Sequence, residues 1–119
     1  IHESKTAALL ACSLRLGAMA AGASQGKMDS LSQFGKSTGL AFQIIDDILD
    51  ITQSSEKLGK SAGKDLATEK ATYPAVHGLE KSRREAARLT ADAIAALKPL
   101  GSKASRLREI AGYLLDREY

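Results

Sequence analysis

Apolar residues recur at helical spacing along most of the chain. Residues 3–22 are predicted as a first helix: alanine and leucine dominate, and Leu9, Leu10, Leu14, Leu16 and Met19 mark a broad apolar side. Gly22 to Gly26 is a Gly/Ser break. A longer helix is predicted from roughly Lys27 to Thr52, its stripe running Leu31, Phe34, Thr38, Ala41, Phe42, Ile45 and Leu49 near the 3.6-residue period. Gly35 and Gly39 lie on or beside that stripe, four positions apart, a spacing that lets another helix approach closely. Residues 53–69 replace the stripe with Ser54, Ser55, Gly59, Ser61 and Gly63, interspersed with lysines. A loop of that length in a compact domain tends to carry function. Pro74 suits the first turn of a short helix ending near Gly78. An alanine-rich amphipathic helix then spans Leu79 to Leu97, stopped by Pro99 and Gly101, and a last one runs from about Ser105 to Arg117. No strand-like alternation of useful length and no internal repeat is present. The expected class is all-α, with residues 1–119 forming a single segment.

At 44% hydrophobic, the 119 residues are enough to bury a core. Only about two-thirds of the unfolded surface is hidden at this size. The net charge of +3 is spread over interspersed charges of both signs, and Phe, Tyr and Trp make up 4%. Neither feature is the footprint of a nucleic-acid binder. No apolar run approaches the roughly 20 residues of a membrane span. Cys12 is the single cysteine. It is read as a small core residue, and with no internal disulfide a reducing compartment follows. The expected location is cytoplasmic, or plastid for a plant parent. The chain opens at Ile1 and enters a helical pattern almost at once, which reads as the interior of a larger protein.

Asp46, Asp47 and Asp50 carry the most chemical information. At 100° per residue they fall within about a third of a turn. Like charges so close repel one another, and the end of a helix disfavours anions. A hard divalent cation would remove both penalties, and carboxylates with phosphate oxygens and water are what Mg²⁺ prefers. The bland alternative is a solvated acidic face. Ile44, Ile45, Ile48 and Leu49 frame the patch with core-forming residues, and Gln43, one turn earlier, offers an amide donor to an anion. Lys60, Lys64 and Lys70 follow, with Gly59 and Gly63 allowing the backbone to fold close to a ligand. Lysine is a compact charge suited to phosphate. Lys5 and Thr6 place a cation and a hydroxyl near the start of the first helix, after His2. Taken singly, these are ordinary surface positions.

Taken together, the segments resemble one family. Residues 39–50, GLAFQIIDDILD, are similar to the second aspartate-rich motif of trans-isoprenyl diphosphate synthases. Ile1-His2 followed by Lys5-Thr6 resembles the family's lysine-threonine motif. Residues 58–65, LGKSAGKD, and 70–74, KATYP, resemble its following lysine loop and helix start. Order and spacing agree over nearly the whole chain. The wording around residues 54–65 is most similar to geranylgeranyl diphosphate synthases.

The resemblance implies the C-terminal part of an isoprenoid-synthase helical bundle. It also implies a reaction: an allylic diphosphate ionises to an allyl cation, isopentenyl diphosphate attacks through its double bond, and a proton is lost. By the same resemblance Asp46 and Asp50 hold a Mg²⁺ ion, with Asp47 either behind these ligands or linked to the ion through water. Lys5, Lys60 and Lys70 contact diphosphate oxygens, while Thr6 and Gln43 lie near the reacting carbons. The full-length protein is expected to be a homodimer. The family's first aspartate-rich motif is absent from this chain, and its basic C-terminal ending is reduced to Arg117-Glu118-Tyr119. The 119-residue chain alone is therefore expected to be inactive. The competing reading is a non-catalytic, synthase-like subunit that binds a catalytic partner.

Overall fold

The computed structural model describes residues 2–56, 72–117 and 119. Every regular element among them is helical: α1 (His2–Ala20), α2 (Gln25–Glu56), α3 (Tyr73–His77), α4 (Leu79–Ala96), a 3₁₀ segment (Lys98–Ala104) and α5 (Ser105–Leu115). The expected all-α class holds among these residues. None of their helices is long and apolar enough to cross a membrane.

The α1–α2 turn follows from backbone hydrogen-bond chemistry. Gly22 takes φ 69°, its N–H bonds the Met19 carbonyl at 3.0 Å, and the Ala23 N–H bonds the Ala18 carbonyl at 2.9 Å. This is a Schellman ending, for which glycine is the natural residue at the left-handed position. Ser24 then starts α2, its hydroxyl accepting from the Lys27 N–H at 3.3 Å. The break thus lies at residues 21–24, about two residues earlier than predicted, because one cap ends α1 and the next begins α2. α2 also runs past Thr52 to Glu56. A change from apolar to polar side chains does not end a helix, and no glycine or proline occurs before Gly59. Thr72 caps α3 through an Ala75 N–H···Oγ1 bond of 3.2 Å, with Pro74 in its first turn. Gly101, at φ 60°, lets the chain turn back between α4 and α5.

α2 is the central helix, with α1 on one side and α4 and α5 on another. One apolar cluster joins Leu31 and Phe34 to Ala18, Ala93, Leu97 and Ala111. A second joins Ile44, Ile45 and Ile48 to Ala86, Leu89 and Leu115. Membership of these clusters sets α4 antiparallel to α2 and α5 parallel to it.

The closest α1–α2 approach sets glycines of α2 against alanines of α1, with Leu14 beside Gly35. A β-carbon on Gly39 would lie 2.5 Å from the Ala7 Cα, and one on Gly35 would lie 2.8 Å from the Ala11 Cα. The close approach predicted for the two glycines is therefore present, with α1 as the partner. Its consequence for α1 was not foreseen. The buried face is Ala7 and Ala18, while Leu9, Leu16 and Met19 are 67%, 59% and 53% exposed. Cys12, expected in the core, lies on that outer side and is exposed. Its neighbours in sequence are apolar, but at 100° per residue it points away from the glycine groove that receives α1.

Candidate functional site

The face of α2 that offers Gly35 and Gly39 to α1 continues, at steps of three and four residues, through Gln43 and Asp46 to Asp50. α1 runs antiparallel along this face, with Ala7 opposite Gly39 and Ala11 opposite Gly35. That register carries the first turn of α1, where Lys5 and Thr6 reside, towards Gln43. Lys5 is exposed, while Thr6 and Gln43 are half-buried. Four sequence-predicted residues, Lys5, Thr6, Gln43 and Asp46, thus gather at one end of the helix pair. Lys60, Lys64 and Lys70 lie outside the described residues.

The three aspartates do not share one environment. On the opposite side of α2, Ile45 and Ile48 are fully buried and Ile44 is 3% exposed. This orientation leaves Asp46 partly accessible and Asp50 exposed. Asp47, 100° further round the helix, falls at the packed edge, where it is 9% exposed and partnered. Among the described residues, no group of three His, Cys, Asp or Glu side chains is arranged to hold a metal ion. Asp46 and Asp50 remain as two carboxylates one turn apart. Mg²⁺ is commonly held by one or two carboxylates, with phosphate oxygens and water completing its shell. The donor set fits that ion.

Sequence reasoning did not anticipate the role of Arg117. Beyond the end of α5, its guanidinium Nη2 lies 2.9 Å from Asp46 Oδ1. Its Cζ stands 4.9 Å from the centre of the Phe42 ring, one turn before Asp46. The ion pair is close, yet its N–H is not aligned as a hydrogen bond, and Nε and Nη2 are both buried without a hydrogen-bond partner. The chain end is tied down further on, where Arg83 Nε donates to the Tyr119 backbone oxygen at 2.5 Å. Tyr119 packs on the same apolar cluster as Phe42. The sole clue in the sequence was a lone arginine near a basic ending.

Another polar feature lies elsewhere. An open groove of about 370 Å³ sits between α1 and the first half of α2, lined by Arg15, Gln25, Met28, Asp29, Ser32, Gln33 and Lys36. It contains none of the predicted site residues.

Comparison with known proteins shows the family. Residues 1–111 match the model of the polyprenyl synthetase family. The chain is 47% identical over 119 residues to a chloroplastic geranylgeranyl pyrophosphate synthase of Capsicum annuum, covering 99% of this chain and 32% of that protein. It is 45% identical over 117 residues to a geranylgeranyl diphosphate synthase of Cyanophora paradoxa, covering 98% and 39%. A solved structure from Marinomonas sp. MED121, described as a farnesyl-diphosphate synthase, superposes with a TM-score of 0.75 at 33% identity. That match covers 94% of this chain and 36% of the other. The chain thus spans about a third of the length of these curated relatives.

Proposed function

Because the chain belongs to the polyprenyl synthetase family, we propose that the protein carrying it is a trans-prenyltransferase. It joins isopentenyl diphosphate to an allylic diphosphate and yields a geranylgeranyl-length product. The observation that carries this reading is the α1–α2 register, which carries the turn of Lys5 and Thr6 towards the Gln43 and Asp46 end of α2, with Asp50 one turn beyond on the same face. The 45–47% identity to geranylgeranyl synthases supports the product class.

In this reading each residue acts through charge and position. Asp46 and Asp50 hold Mg²⁺, with Asp47 behind them; when bound, the ion neutralises the leaving diphosphate. Lys5 contributes a further positive charge to the diphosphate oxygens, as do Lys60 and Lys70. The Thr6 hydroxyl and the Gln43 amide oxygen face the carbon that becomes positive and stabilise it as fixed dipoles. The buried isoleucines beneath the acidic face hold the carboxylates in place, so little reorganisation is needed during the reaction.

We take the full-length protein to be a homodimer, since the exposed leucine and methionine side of α1 is apolar surface suited to further helices or a second copy. Chloroplastic relatives support a plastid location if the source is a plant; for any other source we take the location to be cytoplasmic. The test is to incubate the full-length protein with isopentenyl diphosphate, an allylic diphosphate and Mg²⁺, then size the product by chromatography. A twenty-carbon diphosphate is expected. No product from a folded protein would overturn the catalytic reading in favour of a non-catalytic subunit.

A further inference from the structure

We propose that Arg117 is a counter-ion that competes with Mg²⁺ for Asp46, so that it sets the metal concentration at which the site loads. This rests on the assignment of Asp46 as a metal ligand made above.

The first support is the position of the cation. The Arg117 guanidinium sits 2.9 Å from Asp46 Oδ1, while both side chains keep about a third of their surface in contact with solvent. A metal ion on this carboxylate brings a second positive charge against the guanidinium, and the repulsion between the two favours the side chain's displacement. The second support is the incompleteness of the resting arrangement. Nε and Nη2 are buried without an aligned acceptor, and buried donors left unsatisfied carry a desolvation cost. A guanidinium in a permanent structural bridge would be expected to meet its carboxylate as a two-pronged, aligned pair. This one is held instead by charge and by the Phe42 face, at 4.9 Å, a contact that is weak where solvent reaches it. The third support is the tether. Tyr119, two residues on, is fixed to Arg83 through its backbone oxygen, and the Asp116 N–H bonds the Gly112 carbonyl at 2.8 Å. The backbone on both sides of Arg117 is therefore anchored. Displacement requires only a swing of the side chain, and the guanidinium remains close enough to return when the ligand leaves.

The experiment uses the full-length protein labelled with ¹⁵N-arginine. The Arg117 Nε–Hε resonance is assigned by its loss in Arg117→Gln, and Mg²⁺ with inorganic pyrophosphate serves as the ligand, its binding followed in parallel by calorimetry. In the free protein the resonance should be shifted by the Phe42 ring current. That shift should collapse as Mg²⁺ and pyrophosphate bind, and it should also be absent in Phe42→Leu. In Arg117→Gln the Mg²⁺ concentration for half-saturation at fixed pyrophosphate should fall by about 2- to 5-fold, the scale of a half-exposed ion pair. An Arg117 resonance unmoved by ligand that binds in an Asp46-dependent manner overturns the exchange and leaves the site assignment standing. Binding that is the same in wild type and Asp46→Asn overturns both.

Discussion

Gly39 and Ala7 meet backbone to backbone: a β-carbon on the glycine would stand 2.5 Å from the alanine Cα. Nothing at this contact can rotate out of the way, so an added methyl forces α1 and α2 apart. Gly39→Ala should lower stability by about 1–3 kcal/mol, the cost of overpacking, despite alanine's better helix propensity. Gly112→Ala is the contrast. A β-carbon there meets nothing within 4 Å, and the change should stabilise α5 by up to about 1 kcal/mol. Denaturant unfolding of both variants checks the pair, and equal effects would contradict the packing described.

Asp46 is expected to matter more for turnover than for folding. Its carboxylate is partly exposed and pairs with Arg117. Asp46→Ala in the full-length protein should cut prenyl transfer by about a hundredfold or more, roughly 3 kcal/mol of transition-state stabilisation. The Mg²⁺-dependent binding of the allylic diphosphate should weaken with it. Near-normal kinetics would remove Asp46 from the ligand set.

Lys5 stands exposed on the first turn of α1. Lys5→Ala should raise the KM for the allylic diphosphate or lower kcat while leaving the melting temperature within about 2 °C of wild type. A large fall in melting temperature with intact kinetics would reassign the residue to structure.

The isolated 119-residue chain should associate with copies of itself and show no prenyl transfer. Leu9, Leu16 and Met19 form an apolar stripe along the solvent side of α1, and such patches drive association. Sedimentation velocity should show oligomers that Leu16→Glu shifts towards monomer. A monodisperse wild-type monomer would contradict this expectation.

Glu85 provides a test in acid. The hydrogen bond from Arg88 holds its carboxyl below the usual carboxylate range. A group with a lowered folded-state pKa contributes stability that is present above its unfolded pKa and is lost as pH falls through the folded value. Glu85→Gln should therefore cost stability near neutral pH and little in strong acid. The cost should be under about 1 kcal/mol, because the pair is on the surface. Urea unfolding at pH 7 and in acid measures the difference.

Much of the architecture is legible in the one-dimensional pattern. Leu31, Phe34, Ala41 and Ile45 repeat at the period of a helix and are buried as that period requires. Gly22, Pro74 and Gly101 punctuate the chain where backbone chemistry ends or starts a turn. The motif residues around Asp46 were legible as well, since three carboxylates clustered on one stretch of helix repel one another unless a cation is near. These are local properties, governed by residues within four or five positions of one another.

What required the tertiary structure is whatever depends on how one helix meets another. α1 carries apolar residues all round, Leu9, Leu16 and Met19 on one side and Ala7, Leu14 and Ala18 on another, and hydrophobicity alone does not say which side is buried. The glycines of α2 make that choice, because only small side chains fit where two backbones nearly touch, and so Ala7 is buried while Leu9, Leu16 and Cys12 face outward. The same docking separates Asp47 from its neighbours, since one step round a packed helix is the distance between solvent and core. Arg117 and Asp46 lie 71 residues apart in sequence (117 − 46), and their 2.9 Å contact exists because α4 and α5 fold the chain end back across α2. The sequence by itself determined the helices and the chemistry of the acidic face. Tertiary packing decided which carboxylates remain accessible and which cation waits beside them, because burial and ion pairing are set by distances between segments that no local pattern encodes.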